Sequence, residues 1–230
     1  MERHFIKELD DLKMTILNMA ALTRRALEKA THSYLNRDDK LAQAVIKGDK
    51  EINDLELQVD SISLKLLALE QPMAGDLRFI IGTTKISKEL ERIADQAVNI
   101  AERSLFLCQH PPLNHIPAME RLMEIADNML DEAISSFVNE NFKQAIKIRQ
   151  MDDMADQATL EVLQTLIEYM VKSTPATEKR ILNTRRSIQT IIISRCLERV
   201  GDLATNIGEH VAFIVEGVNI KHQKIDFDFS

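Results

Sequence analysis

Two groups of oxygen-bearing side chains, one near the middle of the chain and one near its end, have the types and spacing of metal ligands. On an α-helix, which advances by about 100° per residue, the members of each group fall within an arc of roughly 80°. Each group therefore predicts a stripe of oxygen ligands along one helix. The first group is Glu91, Asp95, Asn99 and Glu102, and the second is Glu198, Asp202, Asn206 and Glu209.

Both stripes lie in a segment that occurs twice. ELERIADQAVNIAE at 89–102 recurs 107 residues later as CLERVGDLATNIGE at 196–209. This period is longer than that of short solenoid repeats, so each copy is expected to be a whole multi-helix unit. The chain is therefore interpreted as a tandem duplication.

A second pair of oxygen ligands lies upstream in each copy, at an offset of 103 residues. GDKEIND contains Asp49 and Asn53, and MDDMADQ contains Asp152 and Asp156, in both cases four residues apart. The change of offset from 103 to 107 predicts a length difference in the loop before the last helix of each copy, because loops tolerate insertions.

Two helices that each present oxygens at i and i+4 are able to surround a hard or borderline cation, which would neutralise carboxylates that otherwise repel one another. The competing interpretation is a solvated acidic face, since like charges four residues apart cost only about 0.2–0.5 kcal/mol per pair. The duplication and the second helix favour the ligand interpretation. Arg92 and Arg199 point about 100° away from the stripes and are expected to reach only their edges.

Composition indicates a helical globular protein. The 230 residues are 45% hydrophobic and 28% charged, with six Gly, five Pro and no Trp, a composition with ample material for a core. A net charge of −7 without a basic stripe argues against nucleic-acid binding. The sequence shows neither an apolar run of about 18 residues nor a signal peptide, so we expect a cytoplasmic protein.

Breakers and caps divide the chain into six helices, at about residues 5–35, 40–69, 74–107, 117–138, 142–172 and 175–215. The last helix is predicted to begin with Thr174 as N-cap and Pro175 at the first helical position. Helices of about thirty residues are roughly 45 Å long and must lie side by side. We predict an all-α fold of two tandem antiparallel three-helix bundles: residues 1–108, a linker at 109–116, residues 117–217, and a C-terminal tail at 218–230.

The sequence lacks the motifs of the common helical and phosphate-dependent enzymes. None of its histidines has Glu three residues before it, as a ferritin-like di-iron site requires. It also has no Gly-rich phosphate loop, no Gly-x-Ser-x-Gly and no Cys-x-x-Cys. No catalytic residues and no enzymatic activity are expected.

The chain resembles the PhoU family over nearly its whole length. The matching segments are GDKEIN after the first helix, EQPMAGDLR at the second loop, LERIADQAVNI in the third helix and CLERVGDLATNI in the sixth. The resemblance implies a duplicated three-helix fold and multinuclear metal clusters. Iron is the first expectation, with zinc, manganese, magnesium or calcium as alternatives.

The resemblance also implies which residues hold the metals. Asn53 departs from the acidic pattern, so the first cluster is expected to bind metal more weakly than the second. The first set is Asp49, Asn53, Glu91 and Asp95, with Asn99 and Glu102 as additional candidates; the second is Asp152, Asp156, Glu198 and Asp202, with Asn206 and Glu209.

For function, the resemblance implies an adaptor that negatively regulates the phosphate-starvation response and phosphate uptake. It would link a PstB-like transporter ATPase to a PhoR-like sensor histidine kinase and meet the membrane only through these partners. A homodimer is expected, because apolar residues such as Phe106, Phe213 and Ile214 are predicted on the outer faces. The alternatives are a metal-storage protein, a metal-dependent phosphohydrolase, or an accessory protein of a different phosphate transporter.

Overall fold

Six α-helices make up the fold, and the residues described by this computed structural model, 2–172 and 177–220, contain no strand. This confirms the all-α prediction, while the predicted start of the last helix at Thr174 and Pro175 lies outside the described residues. None of the described helices is both long and apolar enough to cross a membrane. The helices are α1 (Glu2–Asn36), α2 (Asp39–Glu70), α3 (Ala74–Cys108), α4 (Pro117–Val138), α5 (Phe142–Lys172) and α6 (Thr177–Glu216).

The helices form two three-helix bundles that share one core. Helices α1, α2 and α3 pack against one another, and so do α4, α5 and α6. The bundles meet mainly where α3 packs against α6, with a smaller contact between α1 and α4. The fully buried side chains Ile93 and Ile100 on α3, and Leu197 and Ala204 on α6, belong to the same continuous cluster. The prediction of two bundles lying side by side is therefore confirmed.

The turns between the first and second helices of each bundle preserve the duplication in the backbone. Arg37 and Glu140, which are 103 residues apart, both have left-handed conformations, with φ of 55° and 50°. The residue after each donates its backbone N–H to a carbonyl five positions back, from Asp38 to Ser33 at 3.0 Å and from Asn141 to Ser136 at 2.9 Å. These are the hydrogen bonds that close a helix C-terminus.

Caps of the same kind then start the second helices. The Asp38 carboxylate accepts the backbone N–H groups of Lys40 and Leu41, and the Asn141 side-chain oxygen accepts that of Gln144. Such side chains satisfy backbone donors that have no partner within the helix. Both α2 and α5 therefore begin at a position that the local sequence determines, which sets where their acidic residues lie along the bundle.

The length difference between the copies lies at the start of α6. Under the 107-residue offset Ala74, where α3 begins, corresponds to Ile181, but α6 already begins at Thr177. The sequence predicts that the extra residues lengthen the loop. The start of α6 at Thr177 instead places about one turn of them in the helix, while residues 173–176 lie outside the described part of the chain.

The apolar residues predicted on the outer faces near the helix ends, Phe106, Phe213 and Ile214, are partly exposed, and each also packs against a neighbour. The Phe106 ring packs edge-on against His110, with centroids 4.5 Å apart. The Lys85 ammonium lies 5.3 Å from the centroid of the Phe213 ring. Ile214 lies directly over Gly82, where an added Cβ would collide with its Cγ1.

Exposed apolar side chains also occur on the outer faces of the second helices. Leu57 and Leu64 on α2 are 65% and 67% exposed, and Leu160 and Ile167 on α5 are 57% and 46% exposed. The offset of 103 residues relates Leu57 to Leu160 and Leu64 to Ile167. Both bundles therefore present apolar side chains at the same two positions, seven residues apart.

Candidate metal centre

The first candidate site lies between α2 and α3. Asn53 donates from Nδ2 to Asp49 Oδ2 at 3.0 Å, so these two side chains form one polar unit on α2. From α3, Glu91 and Asp95 face this unit. Burial raises the pKa of Glu91, and the negative charges of Asp95, Glu56 and Asp49 raise it further. Burial and the charge of Asp49 also raise the pKa of Asp95.

Two oxygens of this site are buried without a hydrogen-bond partner. They are Asp49 Oδ1 and Asn53 Oδ1. Leaving a buried acceptor unsatisfied costs about 1–3 kcal/mol, and more for a charged group. A cation coordinated by these oxygens would offset that cost and the repulsion from Glu91 and Asp95. The donor set, which consists of oxygen atoms alone, fits a hard cation.

The second candidate site lies between α5 and α6. Burial raises the pKa of Asp152 to about 6, together with the negative charges of Asp202, Asp156 and Asp153. The pKa of Glu198 is raised by burial, with Arg195 opposing the shift and Asp156 and Asp202 adding to it. The structure therefore gathers Asp152, Asp156, Glu198 and Asp202 into one cluster of mutually repelling carboxylates, as it gathers the corresponding residues of the first site.

Arginines occupy part of the second site. Arg195 Nη1 lies 2.6 Å from Glu198 Oε2, and Arg199 Nη1 lies 2.8 Å from Asp202 Oδ2. Arg199 thus reaches further into the stripe than its helical angle suggested, because its side chain folds back along the i to i+3 direction. In the first copy Arg92 instead pairs with Glu89, 3.2 Å away and outside the stripe. A cation at the second site would have to displace two exposed guanidinium groups.

The outer members of the two predicted sets occupy different surroundings. Asn206 donates from Nδ2 to Glu89 Oε2 at 3.4 Å, across the contact between α6 and α3. Glu102 is exposed and lies 3.8 Å from Arg103. Asn99 and Glu209 are half-buried. The contact of Asn206 with the other bundle gives that residue a role that does not depend on metal.

Sequence reasoning missed two acidic residues beside the stripes. Glu56 lies seven residues after Asp49, on the same face of α2, and its charge contributes to the raised pKa of Glu91. Glu89 is only 9% exposed. Burial raises its pKa, but contacts with His210, Arg92 and Asn206 outweigh this effect, and the net pKa is lowered. The spacing of seven residues between Asp49 and Glu56 could have placed Glu56 on the same helix face, whereas no spacing in the sequence points to Glu89.

As the side chains stand, residues 2–172 and 177–220 contain no group of three or more His, Cys, Asp and Glu that could hold a metal ion. Binding of a cation would therefore require the carboxylates of each cluster to move closer together. Three observations still favour cation binding: the donors are oxygen atoms, two buried acceptors have no partner, and the arrangement occurs in both bundles.

Comparison with known proteins identifies relatives of the whole chain. The PhoU domain matches residues 16–104 and 119–211, one match in each bundle. A curated relative from Aquifex aeolicus, named "Phosphate-specific transport system accessory protein PhoU homolog", is 34% identical over 219 residues. The match covers 95% of this chain and 96% of the relative.

Solved structures agree in fold and in length. The crystal structure of PhoU from Pseudomonas aeruginosa superposes with a TM-score of 0.86 at 31% identity, covering 93% of this chain and 100% of that one. The structure of the phosphate transport system regulatory protein PhoU from Streptococcus pneumoniae gives a TM-score of 0.83 at 25% identity, covering 94% and 98%. With two matched domains and similarity along nearly its whole length, this chain belongs to the PhoU family.

Proposed function

We propose that this chain is a metal-binding adaptor that negatively regulates phosphate uptake and the phosphate-starvation response. The observation that carries the metal-binding part is the pair of buried, unpartnered oxygens on Asp49 and Asn53, which face the carboxylates of Glu91 and Asp95. The regulatory part is supported by the relatives, which are named accessory or regulatory proteins of phosphate transport. Those names also favour a role without catalysis.

A bound cation would supply a cross-link between helices. In the first bundle it would connect α2 with α3, and in the second α5 with α6. Neither set contains Cys or His, which favours hard cations over soft ones. Iron is the first candidate for the bound cation, and zinc, manganese, magnesium and calcium are the alternatives. The proposed ligands are Asp49, Asn53, Glu91 and Asp95 in the first site, and Asp152, Asp156, Glu198 and Asp202 in the second.

The proposed partners are a PstB-like transporter ATPase and a PhoR-like sensor histidine kinase, met in the cytoplasm at the membrane surface. A bundle of long helices with a shared core presents surfaces of fixed shape, as an adaptor needs. The cations would hold that shape, because without them the repelling carboxylates push α2 from α3 and α5 from α6. Regulation would then depend on metal occupancy through the shape of the docking surface.

The proposal includes a homodimer. Its support is the pair of exposed apolar side chains on α2, Leu57 and Leu64, and their counterparts on α5, Leu160 and Ile167. Apolar residues at this spacing lie along one stripe of a helix. Burying such a stripe against a second copy would remove it from water.

The test is a binding and expression experiment with two single-site variants, Glu91→Ala and Glu198→Ala. Each is assayed for binding to the ATPase and the kinase of its own organism, and for expression of phosphate-starvation genes in phosphate excess. We expect weaker binding and derepression from at least one variant, with the helical content of the wild type retained. Glu51→Ala, at an exposed position on α2, is the matched control and should behave as the wild type.

Two results would count against the proposal. Full repression in both variants, after elemental analysis has shown that they lost their metal, would make the clusters irrelevant to regulation. Turnover of a phosphate ester, or oxidation of iron followed by loading in bulk, would favour the phosphohydrolase or the storage protein instead.

A further inference from the structure

A cavity of about 150 Å³ lies at the junction between the two bundles. Its walls come from the end of α1, the end of α3, the linker that follows, the start of α4 and one residue of α6. Cavities that hold drug-sized molecules measure about 300–1,000 Å³, so this one suits a ligand of only a few non-hydrogen atoms. The lining includes Tyr34, Leu35, Arg37, Leu107, Ile116 and Thr190.

Arg37 gives the cavity a cationic group with unused hydrogen-bond donors. Its Nη2 donates to the carbonyls of Leu107, Cys108 and His110. Within the described part of the chain, its Nε and Nη1 form no hydrogen bond and no carboxylate pairs with it. A guanidinium has five N–H donors in a planar fork, and three of them belong to Nε and Nη1. These donors match the oxygens of an anion.

Tyr34 adds a neutral hydroxyl donor to the same cavity. Burial raises the pKa of this half-buried phenol, while the Thr190 hydroxyl and the positive charge of Arg37 oppose the shift. The net pKa is raised, so the phenol keeps its proton at neutral pH and is able to donate it to an anion. The influence of Thr190 and Arg37 also shows that all three groups lie close together.

A second cation without a carboxylate partner contacts the wall of the cavity. Arg186 on α6 is only 5% exposed, and it donates to the carbonyls of Pro111 and Pro112, which both line the cavity. Its Nε is buried with no hydrogen-bond partner, and among residues 2–172 and 177–220 it forms no ion pair. Burying an unpaired charge is costly, and an anion in the neighbouring cavity would offset part of that cost.

The duplication shows that the fold itself does not require these polar groups. At the equivalent end of the other bundle, the positions of the phenol and of the buried cation carry two phenylalanines, whose stacked rings lie 6.2 Å apart. The position of the half-buried cation carries a carboxylate. The donors of the cavity therefore occur in one copy only, where apolar rings would serve the packing. The counterparts of Tyr34, Arg37 and Arg186 are Phe137, Glu140 and Phe79.

One carboxylate, that of Glu120, also lines the cavity. It is exposed, and its Oε1 lies 2.9 Å from Nε2 of His115. Its charge is therefore screened by water and by salt. Glu120 opposes an anion in the cavity without preventing its binding, which gives the experiment below a variant with an opposite expected sign.

We propose that this cavity is a binding site for a small, doubly charged oxyanion such as phosphate or sulfate, held by Arg37 and Tyr34. Two negative charges would balance the two guanidiniums that lack carboxylate partners, which a singly charged carboxylate does only in part. The site shares no residue with the acidic clusters, needs no metal and goes beyond the proposed function. Because its walls belong to both bundles and to the linker, a bound anion would stabilise the junction between them.

The experiment is calorimetry on the full chain at low ionic strength, with phosphate, sulfate and acetate as probes. We expect phosphate and sulfate to bind in the millimolar range or more tightly, and acetate to bind more weakly. Tyr34→Phe introduces the residue of the other copy and should raise the Kd for phosphate by about ten-fold, because a hydrogen bond to a charged group is lost. Glu120→Gln should lower it by about two-fold or more, because a like charge is removed.

Tyrosine fluorescence locates the bound anion. The chain has no Trp and only two Tyr, and Tyr169 lines a neighbouring cavity on the other side of the linker. Tyr169→Phe is therefore the matched control for Tyr34→Phe, and it should leave the Kd for phosphate unchanged. It also leaves Tyr34 as the single source of emission, which phosphate should change with the Kd that calorimetry gives.

Three results would overturn the site. They are a wild type that binds neither phosphate nor sulfate, a Kd that is the same in Tyr34→Phe as in the wild type, and weaker binding in Glu120→Gln. Arg37 is kept in every variant, because its carbonyl contacts hold the linker. Metal content should be equal in the wild type and in Tyr34→Phe, so failure of the anion site leaves the proposed function standing.

Discussion

Glu89 on α3 accepts a hydrogen bond from Asn206 on α6, with the Oε2 and Nδ2 atoms 3.4 Å apart. The residues are separated by 117 positions in the sequence, and the bond crosses the contact between the two bundles. His210, also on α6, places Nε2 3.9 Å from the other oxygen of the same carboxylate. Glu89 is therefore a buried polar link between the bundles, next to the stripe that begins at Glu91.

Removing this link should destabilise the protein. In Glu89→Ala, Asn206 loses its partner and His210 its neighbouring charge, so we expect the free energy of unfolding to fall by about 1–3 kcal/mol. Urea denaturation measures the change, and the exposed Glu124→Ala is the control, expected within about 0.5 kcal/mol of the wild type. An effect no larger than that of the control would show that the link contributes nothing to the contact between bundles.

Metal content should depend on both clusters. Protein purified without chelator is expected to carry more than one divalent or trivalent ion per chain by elemental analysis. The double variant Asp95→Ala with Asp202→Ala should lose most of it, because each change removes a carboxylate from one cluster. The same metal content in the double variant would contradict the assignment of the ligands.

Asp127 should make stability depend on pH. Burial raises its pKa to about 6, together with the charges of Asp131 and Glu28, while His32 and Arg24 oppose the shift. A carboxyl whose pKa is higher in the folded state than in the unfolded chain stabilises the fold below the unfolded value, and this contribution is lost as the pH rises through the folded value.

The corresponding variant is Asp127→Asn, which has no charge to bury. We expect it to gain about 1–3 kcal/mol over the wild type at pH 7, with the gain growing between about pH 4 and pH 6 and absent below that range. The exposed Glu124→Gln on the same helix is the control and should not stabilise. A gain from Asp127→Asn that does not vary with pH would refute the titration of this group.

Association should depend on the exposed apolar positions of α2 and α5. The wild type is expected to be a dimer at micromolar concentration by light scattering. Charged substitutions at equivalent positions, Leu64→Glu with Ile167→Glu, should shift it towards monomer without loss of helical content. Lys50→Glu tests for a general charge effect and should leave the dimer intact. A wild type that is strictly monomeric at this concentration would refute the prediction.

The duplication predicts two equivalent bundles, and the limits of their helices could be predicted because the residues that begin and end a helix act locally. Helices α2 and α4 begin within one residue of their predicted starts, at Asp39 and Pro117, and α3 extends only one residue beyond its predicted end. Glu56 could not be found in this way, because the stripes were defined by residues that match between the copies and the counterpart of Glu56 is Thr159. Local spacing carries no information about Glu89, whose partners on α6 become neighbours only when the bundles pack together.

The left-handed turns after α1 and α4 have the same backbone conformation, but their side chains make different contacts. Arg37 donates through Nη2 to the carbonyls of Leu107, Cys108 and His110, and so fastens the turn after α1 to the end of α3 and to the segment that leads into the second bundle. A side chain in this conformation costs about 1 kcal/mol relative to glycine, yet glycine here would release that segment. Glu140 has the same backbone conformation and forms an exposed ion pair with Lys13. Glycine at 140 should therefore relieve the backbone cost and give up little, whereas glycine at 37 would also remove the hydrogen bonds to the end of α3, so the same substitution has opposite consequences at the two equivalent turns.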